Sequence, residues 1–318
     1  MVRTLTVLAG AVALTASLAL SQAQTQDRFK IAIGQINNWE NQAPTLGEQF
    51  FKKHNLALES FGTAGAGETM QPVIAASADF GAGVGVAGAM RAFERGAPLR
   101  ILLPMFTGTG DLYWYVRADS PIKSLKDATD RHTIAYSTNG SSSHNVVLAF
   151  VSDLGVKAKP TATGSPPGTL TAVMSGQVDI GWGAPPFGLQ EVNDGKIRII
   201  ARGSDAASLN SQTVRVLIVN ADTLKNHKDA MLRFARAYRE AVDWMYTSPD
   251  APRLYAEKTK IPEPLVRESI AKYHTREAMQ TDAIKDLDGV MRDAVKLKFL
   301  EKPLTQAQLA EFIQIPPR

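Results

Sequence analysis

Short apolar runs with strand-like alternation follow one another with helix-like segments between them, and this alternation constrains the fold more than any other feature. Residues 29–33, Phe-Lys-Ile-Ala-Ile, read as a strand that ends at Gly34. A helix is expected over 44–53, a strand over 56–61, a glycine-rich turn over 62–67 and a helix over 68–77. A third strand is expected over 79–84, then a helix over 86–95 and a strand over 99–105. Parallel neighbours in a sheet need a crossover and a helix supplies it, so this order predicts a largely parallel sheet with helices on both faces. Ligands in open sheets of this kind gather at the carboxyl ends of the strands.

The pattern breaks over 106–111, where Thr107-Gly108-Thr109-Gly110 forms a polar stretch, and then restarts. Strands are expected over 112–117, 133–136, 178–182 and 196–201, with helices over 142–154 and 166–175 and a capped helix start at Ser124. A second irregular stretch over 203–212 precedes a strand over 214–219. From Lys225 onward the chain reads as helical, over 226–246, 262–272, 284–299 and 305–312. Leu232, Ala235, Tyr238, Val242 and Met245 mark a core-facing stripe there. The two restarts predict an α/β protein of two lobes, the first made of residues 24–107 with 214–318 and the second of residues 108–213.

Residues 1–23 read as an export signal: Arg3, an apolar run over 5–20, then Ser21-Gln22-Ala23 with small residues at both ends. A retained span needs about 20 apolar residues and a stop-transfer flank, and this run is shorter. Cleavage near Ala23 and a periplasmic mature protein are expected. The chain has no cysteine, which excludes disulfides, thiolate metal sites, thiol nucleophiles and a lipoprotein anchor. Its net charge is +4, about +3 once Arg3 is removed, and the basic residues form no stripe with interleaved aromatics, so no nucleic-acid partner is expected.

No G-x-S-x-G elbow is present, and Ser142 and His144, two apart at a helix start, point in different directions. His54, His132, His144, His227 and His274 show no metal-ligand spacing. No catalytic residue, cofactor or metal is therefore expected, and binding is favoured over hydrolysis.

The candidate binding residues lie where strands end. Ser137, Thr138, Asn139, Ser141 and Ser142 follow a strand and open a helix, so hydroxyls and backbone N–H groups converge at the positive end of its dipole and favour an anionic head group. A serine-rich N-cap with no ligand has the same appearance. Thr63 and Gly65 lie in the corresponding turn of the first half, where glycine lets backbone approach a ligand. Gln35, Asn37 and Asn38 offer donors or cap a turn. Trp39 and Trp182 follow strands, where an exposed indole walls a pocket or a buried one joins the core, and Pro185 lies in the loop after Trp182. Thr107 stands at the first crossing. Arg215 stands at the second, placed to hold a carboxylate or sulfonate or to make an interlobe salt bridge. Gly83-Val84-Gly85-Val86-Ala87-Gly88 spells a dinucleotide fingerprint, but it follows the third strand and lacks the expected acid.

The order of these motifs resembles the nitrate/sulfonate/taurine-type substrate-binding proteins of ABC importers, a group that includes thiamine-precursor binders. The carrying segments are Gly34 to Trp39, Asp79-Phe80-Gly81-Ala82-Gly83, Tyr136 to His144, and Gly176-Gln177-Val178-Asp179-Ile180-Gly181-Trp182. The resemblance implies the two-lobed type II periplasmic-binding-protein fold with two crossing strands as hinge and C-terminal helices returning to the first lobe. It also implies a monomer that takes a small-molecule ligand into the cleft and passes it to membrane permease and ATPase subunits, or presents its closed form to a membrane sensor. Enzymes of the family that make the thiamine pyrimidine carry a cysteine-rich motif, which this chain lacks.

Overall fold

The computed structural model describes residues 26–318; the expected export signal lies outside the described residues. The described residues form ten strands: β1 (Asp27–Gly34), β2 (Leu56–Thr63), β3 (Phe80–Gly85), β4 (Leu99–Thr107), β5 (Tyr113–Arg117), β6 (Thr133–Tyr136), β7 (Lys159–Ala162), β8 (Gly181–Gly183), β9 (Ile197–Arg202) and β10 (Thr213–Asn220). The first sheet has the order β2-β1-β3-β10-β4, with β1 parallel to β2 and β3, and β10 antiparallel to both its neighbours.

The second sheet repeats this plan. Antiparallel β8-β5-β9 joins the parallel pair β6-β7 through Ala135, whose N–H donates to the Ile180 carbonyl at 2.8 Å, and Ile180, whose N–H donates to the Thr133 carbonyl at 3.0 Å. The combined order is β7-β6-β8-β5-β9, and in each sheet the antiparallel fourth strand lies beside a crossing of the chain. The molecule is therefore two α/β lobes, each a mainly parallel sheet flanked by helices. The chain passes from the first sheet to the second between β4 and β5 and returns between β9 and β10.

Among the C-terminal helices, Lys228–Thr247 packs hardest on the first lobe: Phe234 stacks on Phe80 with centroids 4.1 Å apart and meets Phe51 at 5.4 Å. Each such fully buried side chain contributes about 1.5–3 kcal/mol. The apolar stripe is rotated from its expected position. Met231 and Phe234 enter the core with Ala235, Tyr238, Val242 and Met245, while Leu232 is 40% exposed.

Several boundaries shift for local reasons. The expected 44–53 helix is two pieces, Ala43–Leu46 and Glu48–Lys53, parted at Gly47, where an added Cβ would lie 2.4 Å from that of Ala241. The expected 226–246 helix breaks at His227, the strand expected over 178–182 is β8 alone, and the helix expected over 284–299 is Leu287–Lys296, capped by the Asp286 carboxylate. Strand β7, Lys-Pro-Thr-Ala on a sheet edge, and the helix Asp250–Thr259 carry too weak a periodicity to be expected. No helix among the described residues is long and apolar enough to cross a membrane.

Candidate functional site

The cleft between the lobes is framed by the loop that follows β6. Ser141 is the N-cap of the helix Ser142–Leu154, its Oγ accepting from the His144 N–H at 3.1 Å. The Ser137 and Ser141 hydroxyls each share a 3.0 Å hydrogen bond with Ser143 Oγ, which also accepts from the Ser137 N–H. Thr138 Oγ1 accepts from the Gly67 N–H across the cleft at 3.1 Å, and Asn139 Oδ1 accepts from the Tyr136 hydroxyl at 2.7 Å.

The fingerprint-like glycines explain why this loop can come so close. A Cβ on Gly85 or Gly88 would lie 2.4 or 2.3 Å from the Gly140 carbonyl oxygen, so both positions are glycine because the second lobe's backbone lies against the start of the helix Val86–Glu94. Their spacing serves contact between the lobes. Gly65 has the same role beside Thr138 and Ser137.

Arg215, on β10, sits at the centre of the cleft. Its Nη1 donates to Ser142 Oγ at 2.9 Å, its Nη2 to Asp111 Oδ2 at 2.6 Å, and its Nε lies 3.8 Å from Glu40 Oε1. The guanidinium lies 4.5 Å from the Phe106 ring centroid. Arg215, Asp111 and Glu40 are all buried. Burial pushes the Asp111 carboxyl above the usual carboxylate range, outweighing the Arg215 charge that pulls it down. Burial alone would lower Arg215, but the charges of Asp111 and Glu40 prevail and raise it. Of the two readings the sequence left open for Arg215, the salt bridge is present, and it joins β10 to the first crossing.

Behind this pair, His274 lies at the end of the helix Glu263–Tyr273, fully buried. Its Nε2–H donates to the Pro185 carbonyl at 2.8 Å and its Nδ1 lies 3.3 Å from Glu40 Oε2.

Gln35, Asn38, Gly65, Ser137, Ser141, Ser142, Trp182 and Arg215 are brought together around a narrow cavity of about 30 Å³, room for about one water with the lobes as they stand. The other candidates stand apart from it. Trp39 is fully buried, not an exposed wall: its ring meets Tyr255 at 5.3 Å and Tyr246 at 5.9 Å edge-on, because the turn after β1 folds back beneath the C-terminal helices. Asn37 is exposed and offers its carbonyl to the Tyr255 hydroxyl. Thr63 Oγ1 bonds Thr69 Oγ1 at 2.6 Å, Thr107 ends β4 opposite Thr213, Asn139 is exposed, Thr138 bridges to Gly67, and Pro185 serves through its carbonyl to His274.

Glu40, Asn41 and Ser143 also line the cavity, and Asp111 and His274 stand behind it; none was among the candidates. Glu40 and Asp111 were legible only as acids in polar stretches next to residues already singled out. His274 gave no signal, since its partners lie 234 and 163 positions away in the chain (274 − 40 and 274 − 111).

By fold the chain is similar to several solved structures. A Candida albicans gene product described as exhibiting the generic periplasmic binding protein fold superposes with a TM-score of 0.74 at 13% identity, covering 91% of this chain and 97% of that one. The alkanesulfonate-binding protein SsuA from Xanthomonas axonopodis pv. citri, bound to MOPS, gives 0.73 at 15% identity, covering 91% and 98%. The periplasmic nitrate-binding protein NrtA from Synechocystis PCC 6803 gives 0.66 at 16% identity, covering 90% and 84%. No curated protein matches the chain by sequence. The NMT1/THI5 like family model matches residues 44–252, a stretch that runs through both sheets and both crossings, and the chain belongs to that family.

Proposed function

We propose that this protein is the periplasmic solute-binding component of an ABC importer, holding a small organic anion such as an alkanesulfonate, a taurine-like zwitterion or an aromatic carboxylate. In this reading residues 24–107 with 214–318 form one lobe and 108–213 the other, the stretches at Thr107 to Thr109 and Ser211 to Thr213 act as hinge, and cleavage near Ala23 releases the mature monomer. The solute binds one lobe, the second closes over it because it gains contacts the open form lacks, and the permease receives it from the closed form.

One observation carries the choice of a solute rich in acceptors, as an organic anion is. Two buried donors at the cavity, the Trp182 indole N–H and the Arg215 Nε–H, have no hydrogen-bond partner. A buried donor without a partner costs about 1–3 kcal/mol, which an acceptor-bearing solute recovers. The N-terminus of the helix Ser142–Leu154 adds favourable potential for negative charge. A thermal-shift screen over alkanesulfonates, taurine, aromatic carboxylates and pyrimidines tests this: a solute at a hundred times its Kd stabilises the native state by about 2.7 kcal/mol. Stabilisation by neutral pyrimidines alone overturns the anion, and conversion of the solute during incubation overturns the transport role.

A further inference from the structure

We propose that Glu40, Asp111 and His274 form a binding site for one divalent transition-metal ion, of which zinc is the probe. One ligand atom from each of the three lies within 4.8 Å of the other two, and all three residues are buried. Glu40 Oε2, Asp111 Oδ1 and His274 Nδ1 are each enclosed without a hydrogen-bond partner. Three buried polar atoms gathered without hydrogen-bond partners are costly unless something electropositive sits among them.

The remaining atoms of the same groups are already tied down as the outer contacts of a metal site are. His274 donates its Nε2–H to the Pro185 carbonyl, which leaves the Nδ1 lone pair facing the carboxylates. Asp111 gives Oδ2 to Arg215 and keeps Oδ1 free, and Glu40 Oε1 accepts from Asn38 Nδ2 at 3.3 Å while Oε2 turns to His274. The 3.3 Å between His274 Nδ1 and Glu40 Oε2 equals the edge of a tetrahedron with metal bonds of about 2.05 Å, which is about 3.3 Å. One imidazole with two carboxylates suits zinc or a neighbouring first-row ion better than calcium or magnesium, which prefer all-oxygen shells.

Charge agrees with the geometry. Glu40 and Asp111 outnumber Arg215 by one carboxylate, so a divalent ion turns the local charge positive, the sign that suits an anionic solute in the adjoining cavity. Because the ligands come from the turn after β1, the first crossing and the C-terminal helices, the ion also joins three distant parts of the chain. Glu40 also lines the solute cavity, so zinc uptake is measured without solute and solute binding separately, and either reading can fail alone.

The test uses the mature chain, stripped with a chelator and free of any polyhistidine tag. Titration against a chromophoric zinc indicator, with metal content measured after gel filtration, should show one equivalent of zinc, and cobalt(II) should give visible d–d bands of a low-symmetry nitrogen and oxygen site. His274→Ala and Glu40→Gln should each weaken zinc binding by more than about a hundredfold, beyond the roughly 10–100-fold that loss of an outer contact costs, while exposed His227→Ala should not. Should His274→Ala fail to fold, Glu40→Gln and the wild-type cobalt spectrum decide. No stoichiometric uptake by the wild type, or uptake that survives both substitutions, overturns the proposal and leaves the cluster as an ion-pair network.

Discussion

Single hydroxyls in one loop have different tasks. Ser141 accepts from a backbone N–H as the N-cap, whereas Ser142 accepts from Arg215. Ser141→Ala should therefore cost about 1 kcal/mol of stability, the worth of a cap, read in a chemical melt. Ser142→Ala takes from Arg215 a charge-assisted bond of about 1.5–3 kcal/mol; it loosens the guanidinium that faces the cavity and should lower solute affinity about tenfold in calorimetric titration. Equal effects of the two on affinity would refute this division. His144, one turn into the same helix, stacks on Tyr136 at 4.3 Å and accepts from the Gly140 N–H at Nδ1. Burial and then the Arg91 charge pull its pKa from 6.5 to about 4. The unfolded chain thus takes up a proton that the folded chain refuses, so this contribution is complete above about pH 6.5 and is lost as pH falls towards 4. Urea midpoints measured from pH 7 to 4 should decline less steeply in His144→Gln, and an unchanged slope would show that other groups govern the loss.

At the level of elements, the start of the helix Val86–Glu94 is shaped by what lies against it. An alanine at Gly88 would meet the Gly140 carbonyl oxygen at 2.3 Å, backbone against side chain, with no flexible group to give way. Gly88→Ala should leave the first lobe folded but hold the cleft open: a larger radius of gyration by solution scattering and a solute affinity reduced by at least tenfold. An unaltered scattering curve in the presence of solute would mean that the loop of residues 137–143 moves aside at little cost. The paired short helices after β1 show a related effect, since their break at Gly47 exists because the helix Lys228–Thr247 brings Ala241 there.

For the whole molecule, the two lobes of matching sheet order are tied through Arg215, whose partners come from the first crossing and from the start of the helix Ser142–Leu154. Asp111→Ala would leave the guanidinium buried with its main partner gone, and a broken buried pair costs about 3–5 kcal/mol. Denaturant melts should show a loss of that size; a loss under about 1 kcal/mol would mean that Glu40 alone sustains the charge. If solute closes the lobes, hydrogen exchange should slow together in residues 62–67 and 137–143, which lie on opposite sides of the cleft. Protection confined to one side would refute closure.

Periodicity, turn residues and a missing cysteine are local properties, and they were enough to determine the alternating α/β class, the two crossings and the serine loop at a helix start. A strand's pleat and a helix's repeat are set within a few residues, so β1 to β6 lie close to their expected places. Only tertiary structure decided which face of the helix Lys228–Thr247 is buried, that Trp39 belongs to the core, and that Gly85 and Gly88 make room for another lobe's backbone. It alone joined Glu40, Asp111 and His274, because partners so far apart in sequence are chosen by how the C-terminal helices close on the first sheet, and no local pattern encodes that packing.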